Sequence, residues 1–77
     1  MTYVLYSTSA CHLCELAKGV VAQLQDEGQA IVLREVDISE SDVLFERYGV
    51  RIPVLQAPDG RELGWPFDKA GLRVFLG

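Results

Sequence analysis

The chain has 77 residues, 49% of them apolar, and its eleven acidic and seven basic side chains give a net charge of −4. That length predicts one domain, residues 1–77, and an acidic balance without a basic cluster excludes nucleic acid as an expected partner. The longest apolar runs, such as Val20-Val21-Ala22 and Ile31-Val32-Leu33, are far too short to span a bilayer.

Thr2 to Tyr6 is a β-branched and aromatic run that predicts a first strand. The small polar stretch Ser7-Thr8-Ser9-Ala10 reads as a loop. Leu13, Leu16, Ala17, Val20, Val21 and Leu24 then fall at the spacing of one helical face, with Gly28 as the stop. Ala30 to Val36 predicts a second strand. Ser39, followed three residues later by Asp42, predicts the cap of a short helix that runs through Tyr48 and ends at Gly49. Pro53 to Ala57 is a third strand with proline at its first position, where the missing N–H is tolerated. Pro58-Asp59-Gly60 is a turn, and Arg61 to Gly64 a short edge strand. Trp65-Pro66 leads into a last helix with Asp68 near its start and Leu72, Phe75 and Leu76 as its apolar side. Gly71 inside that helix costs about 1 kcal/mol relative to alanine. The order βαβ followed by αββα predicts an α/β domain. Its central four-stranded mixed sheet has helices on both faces, and the hairpin pairs beside the first strand.

Only two cysteines are present, Cys11 and Cys14, three residues apart. They close too short a loop to staple a domain, so the core must hold the fold together. Met1-Thr2-Tyr3-Val4 lacks the basic start and cleavage site of a secretory signal, which makes a reducing cytoplasm the expected compartment. There, a close pair points to redox chemistry or metal binding. Cys11-His12-Leu13-Cys14 falls where a loop becomes a helix. The unpaired N–H groups and positive dipole end of that helix favour a thiolate at Cys11, and such placement lowers a cysteine pKa from about 8.5 to roughly 3.5–7.5. Cys14 lies nearly one turn further along, within reach to release a mixed disulfide by intramolecular attack. His12 is either a solvated side chain or an imidazolium that stabilises the thiolate and raises the reduction potential. Structural zinc takes four ligands, and this chain has no third cysteine and a single histidine, inside the pair. A Cu(I) metallochaperone is the better metal alternative, since soft thiolates select Cu(I). Such domains carry a methionine shortly before the pair, however, where Ser9 and Ala10 stand here.

Cys11-His12-Leu13-Cys14 at a helix start, Glu35-Val36-Asp37 closing the second strand, and Tyr48-Gly49-Val50-Arg51-Ile52-Pro53-Val54-Leu55 together resemble the thioredoxin superfamily. In particular the chain is similar to small bacterial glutaredoxin-like proteins over essentially its whole length. The resemblance implies a thioredoxin-like fold and a thiol–disulfide oxidoreductase with Cys11 as nucleophile and Cys14 as resolving thiol. It also implies a cis Ile52–Pro53 bond against the pair, with an exposed backbone at Ile52 that pairs with an extended substrate strand. Thioredoxins carry a tryptophan before the first cysteine and a buried aspartate on the preceding strand; Ala10 and Leu5 stand there here, so that proton acceptor for the resolving thiol is missing. Glutaredoxins usually carry a lysine three residues before the pair and an aromatic residue before its second cysteine, where this chain has Thr8 and Leu13. Of their Gly-Gly and aspartate that hold the glutathione γ-glutamyl end, Gly64 and Asp68 are kept while Trp65 replaces the second glycine. Trp65 either walls the site or caps the core, and Arg51 either offers its charge to an acidic substrate group or is solvated. No resident cofactor or metal is expected, and glutathione is a candidate reductant only. The expected partner is a disulfide-bearing protein or a small thiol, with no nucleic acid, no membrane and a monomeric state. A Cu(I) metallochaperone and a binding module of the same fold without turnover are the alternatives.

Overall fold

A computed structural model describes residues 2–77. Its strands are β1 (Thr2–Ser7), β2 (Val32–Asp37), β3 (Val54–Gln56) and β4 (Glu62–Gly64). They form one mixed sheet in the order β2-β1-β3-β4. β2 runs parallel to β1, with Tyr6 opposite Val36, and β3 runs antiparallel to it, with Tyr6 opposite Val54. β4 completes the hairpin, Val54 facing Gly64. The helices are α1 (His12–Asp26), α2 (Asp42–Tyr48), which follows a single 3₁₀ turn at Ile38–Glu40, and α3 (Lys69–Leu76). This is the thioredoxin-like arrangement, with helices on both faces of the sheet.

Alternation along β1 sends Tyr3 and Leu5 to one face and Tyr6 to the other. On the first face Leu5 and Leu55 meet Ala17, Val21 and Leu24 of α1, with Phe67, and Leu72 and Phe75 of α3. Leu5, Leu24, Leu55 and Leu72 are all 0% exposed, and full burial of each is worth about 1.5–3 kcal/mol. The second face is smaller: Ile38, Tyr48 and Val54 pack together, with Tyr6, Leu44 and Ile52 around them. Among the described residues no helix is long and apolar enough to cross a membrane.

Local chemistry accounts for most element ends. After α1, Gly28 takes φ +99°, its N–H donates to the Gln25 carbonyl, and the Gln29 N–H reaches back to Leu24. That pattern is a Schellman stop, for which glycine is suited because it carries no Cβ. At the hairpin tip Gly60 takes φ +94° while its N–H donates to Ala57. Asp68 caps α3 by accepting the Gly71 N–H at 2.8 Å. A Cβ at Gly71 would lie 3.3 Å from that same carboxylate oxygen, so the glycine gives the cap room.

Three expectations need correction. β2 begins at Val32, not Ala30, because the Ile31 N–H donates to the Gln29 carbonyl and the Gln25 side chain donates to the Ile31 carbonyl at 2.9 Å. Ser41, not Ser39, caps α2: its hydroxyl accepts the Leu44 N–H, whereas Ser39 is captured by Asp37, which accepts both its N–H and its hydroxyl. Leu13 and Leu16 are each 45% exposed and do not belong to the buried side of α1. The residues of α1 that are buried are Cys14, Ala17, Val21 and Leu24, a narrower seam at spacings of three, four and three.

Candidate active site

Cys11 is the N-cap of α1, with extended backbone (φ −107°, ψ 105°), and its Sγ accepts the Cys14 N–H at 3.0 Å. The two cysteines are joined as a disulfide. Their exposures differ: Cys11 is half-buried, whereas Cys14 is 1% exposed because it belongs to the buried seam of α1. The sulfur within reach of an incoming group is therefore that of Cys11. The Cys14 N–H and the positive end of the helix are directed at the Cys11 sulfur. His12, the first residue of α1, is exposed. No charged side chain is buried among the described residues, and Leu5 is fully enclosed in the core. Lys18, one turn beyond Cys14, is bound by Glu15 and then Glu35, each 3.0 Å away, and both raise its pKa.

The β1–β3 register sets Pro53 at the end of β1 from which the chain runs to Cys11. The Ile52–Pro53 bond is cis, as is Trp65–Pro66, and Pro53 is buried. The exposed backbone expected at Ile52 is narrowed to one group. Its N–H donates inward to the Tyr48 carbonyl at 3.0 Å, and among the described residues its carbonyl accepts no hydrogen bond. Arg51 is engaged with Glu62 at 3.1 Å and lies 5.4 Å from the Tyr48 ring centroid. Trp65 packs edge-on against Phe67 at 5.1 Å as part of the first core's margin, and its backbone N–H donates to the Pro53 carbonyl at 3.2 Å. Gly64 is exposed, and a Cβ there would meet nothing within 4 Å. Asp68 stands at the start of α3 with one carboxylate oxygen occupied by the helix cap. It also borders a shallow surface groove of about 460 Å³ with Leu63, Pro66, Phe67 and Gly71. The sheet thus brings Cys11, Cys14, Ile52, Pro53, Gly64 and Trp65 toward one end, while Arg51 and Asp68 are held by other partners.

A second set of polar residues lies beside the proline segment. The Tyr48 hydroxyl donates to Glu62 at 2.6 Å and its ring stacks on Tyr6 at 4.2 Å, while the Tyr6 hydroxyl donates to Gln56 at 2.8 Å. Burial, then the neighbouring Glu62 carboxylate, push the Tyr48 hydroxyl up to about 12. The Tyr48 hydrogen bond, and Arg51 after it, lower the Glu62 pKa. Sequence patterns point to none of these contacts, because Tyr48 and Glu62 are fourteen residues apart with a loop and a strand between them. The one signal is a tyrosine in the last turn of a short helix, directly before Gly49.

The family model of the glutaredoxin-like domain (DUF836) matches residues 2–77. The chain belongs to this glutaredoxin-like family. Among solved structures it is similar to the target protein XcR50 from X. campestris. The crystal structure of XcR50 has 42% identity, covers 96% of this chain and 93% of the other, and superposes with a TM-score of 0.83. Its solution structure has the same identity, coverage of 99% and 92%, and a TM-score of 0.84. A malarial protein at 17% identity, with coverage of 97% and 91% and a TM-score of 0.67, shares the fold. No curated protein matches the chain. A glutaredoxin-like domain with two residues between its cysteines suggests redox function at that pair.

Proposed function

We propose that the protein is a thiol–disulfide oxidoreductase of the cytoplasm acting on a disulfide-bearing protein or small disulfide. The observation that carries this reading is the unequal exposure of a disulfide-bonded pair at a helix N-terminus: Cys11 accessible, Cys14 buried one turn on. In the reduced protein the Cys11 thiolate attacks one sulfur of the substrate disulfide. A Cys11–substrate mixed disulfide forms, and the other substrate sulfur leaves as a thiolate that takes a proton from water. Cys14, having released its proton to water, then attacks the Cys11 sulfur as a thiolate. The Cys11–Cys14 bond forms, the second substrate thiolate leaves, and two electrons have passed from the dithiol to the substrate. Two equivalents of an external thiol such as glutathione return them by the reverse exchange and leave joined as a disulfide. His12, exposed beside Cys11, favours the thiolate when protonated and moves the potential upward within the roughly −200 to −270 mV range of related dithiols. Pro53, with the free carbonyl of Ile52, forms the wall on which the substrate lies. Gly64 and Trp65 border that wall, while Arg51 is engaged by Glu62 and Asp68 by the α3 cap.

The test is trapping. The Cys14→Ala protein, reduced and mixed with a disulfide-bonded peptide, accumulates a mixed disulfide at Cys11 detectable by mass, and Cys11→Ala does not. The opposite pattern reverses the two roles. Stoichiometric Cu(I) on the anaerobically reduced wild type, with no exchange, replaces this reading by metal carriage. Neither exchange nor metal leaves a binding module of the same fold.

A further inference from the structure

We propose that Glu62 is a positioning residue for the exchange reaction, holding the Arg51–Pro53 segment at the dithiol end of the sheet through Arg51 and Tyr48. The proposal rests on the oxidoreductase reading above. The contacts form a closed circuit. The Tyr48 carbonyl accepts the N–H of Arg51 at 2.8 Å and of Ile52 at 3.0 Å, which fixes the turn after α2 at its backbone. The same residue's hydroxyl donates to Glu62 Oε2 at 2.6 Å, and the Arg51 guanidinium donates to Oε1 at 3.1 Å. Each carboxylate oxygen thus takes one donor from the turn that leads into Pro53. Glu62 is itself fixed from the other side, in β4, where it pairs with Gln56 of β3. Two residues after it β4 ends, and the Trp65 N–H closes onto the Pro53 carbonyl at 3.2 Å.

A carboxylate suits this place for a chemical reason. Two donors converge on it, and only an ionised acid offers an acceptor to each; an amide would set its own N–H₂ against one of them. Without the charge, the buried Tyr48 hydroxyl or the Arg51 guanidinium loses its acceptor, and the loss falls on the segment carrying Ile52 and Pro53. The effect on the reaction is therefore on substrate placement and not on the sulfur chemistry, since no part of the circuit includes Cys11 or Cys14.

Glu62→Gln separates these possibilities. Backbone amide exchange at Arg51 and Ile52 is measured alongside steady-state reduction of insulin disulfides and the iodoacetamide alkylation rate of reduced Cys11. We expect faster exchange at both amides and a KM for insulin raised about three- to tenfold, with kcat and the alkylation rate unmoved. Asp59→Asn, which removes an exposed ion pair with Arg61 on the same hairpin, leaves all four measurements unchanged. Arg51→Gln breaks the circuit from its exposed side and gives the same pattern, so the proposal stays open to refutation if Glu62→Gln does not fold. Unchanged amide exchange, or faster exchange with an unmoved KM, overturns the proposal. A lowered alkylation rate also overturns it, because Glu62 would then act on the thiolate itself. Wild-type protein without turnover overturns the oxidoreductase reading and this proposal with it; wild-type turnover with an unmoved KM overturns this proposal alone.

Discussion

Replacing Tyr48 by phenylalanine removes one hydroxyl and leaves the ring stacked on Tyr6 at 4.2 Å. What is lost is a hydrogen bond to an ionised acceptor, worth about 1.5–3 kcal/mol in general. The Glu62 side chain is 23% exposed, so it rehydrates in part, and the lower end applies: about 1.5 kcal/mol at pH 7. The alkaline limb then carries a sign that a generic packing defect cannot reproduce. The folded pKa of Tyr48, about 12, lies above its ordinary value of 10.0, so the fold favours the neutral hydroxyl. That contribution is complete below pH 10 and is lost as pH rises through the folded value. A displacement of this size corresponds to about 2–3 kcal/mol lost by the wild type, while the variant, having no hydroxyl, is spared it. The wild type is therefore expected to be more stable at pH 7, by about 1–1.5 M in urea midpoint at a slope of about 1 kcal/mol/M. The two curves converge near about pH 11. Urea titrations of the oxidised proteins at pH 7, 10 and 11, followed by circular dichroism, provide the measurement. A variant that loses as much stability as the wild type between pH 10 and 11 would show that Tyr48 is not the titrating group.

Leu72→Ala removes a side chain with no exposure between α3 and the sheet, and about 3 kcal/mol of stability is expected to go with it, enough to lower the thermal midpoint measured by calorimetry well beyond that of Val74→Ala on the exposed side. Ser41→Ala costs about 0.5–1 kcal/mol as a lost N-cap; Ser39→Ala costs less in the same chemical denaturation series, since it contributes no cap to α2. Glu27 is held by Lys69 and Arg73, and the hydrogen bond from Lys69, then that from Arg73, lower its pKa. Its contribution is present above the unfolded carboxylate pKa and lost as pH falls through the depressed folded value. Glu27→Gln should therefore flatten the acid limb of the stability profile as pH falls below the ordinary carboxylate value and lower stability at pH 7, and an unaltered acid limb would dismiss the ion pair as a contributor.

The elements that local chemistry dictates were legible from the residues. Gly28 and Gly60 adopt positive φ where the stop and the turn require it, and Asp68 caps the helix it was placed before. The strand run at Thr2–Tyr6 is likewise a strand. Competition between neighbours was not legible. Ser39 and Ser41 are both plausible caps two residues apart, and what decides between them is the Asp37 carboxylate, which binds Ser39 first and closes the 3₁₀ turn. The apolar face of α1 is broader in the sequence than in the fold for a related reason. Six apolar positions share one side of the helix, but of these only Ala17, Val21 and Leu24 are buried in the core, with Val20 at its margin. At the candidate site, Cys11, Cys14 and Pro53 carry signals in their spacing and position. Glu62 carries none, because its partners reach it from a turn and a helix end that come together only in the folded chain.

The buried seam of α1 explains why two identical side chains three residues apart can take unequal roles. Cys11 precedes the helix, so its backbone is extended and its sulfur stays at the rim. Cys14 is the first residue of the seam and inherits the burial of Ala17, Val21 and Leu24 below it. Exposure is thus assigned by helix geometry before any chemistry is considered. The two sulfurs thus stand in different surroundings, one in the buried seam and the other at the positive end of a helix. A consequence is that the redox pair and the first core cannot vary independently. A polar group introduced at Ala17 or Val21 would disturb the packing beneath Cys14 as well as the fold. On the opposite face of the sheet, the Tyr48 circuit anchors the proline segment without touching that core. One face sets which sulfur is exposed and the other holds the segment that carries Pro53. β1 joins them, through Leu5 on one side and Tyr6 on the other.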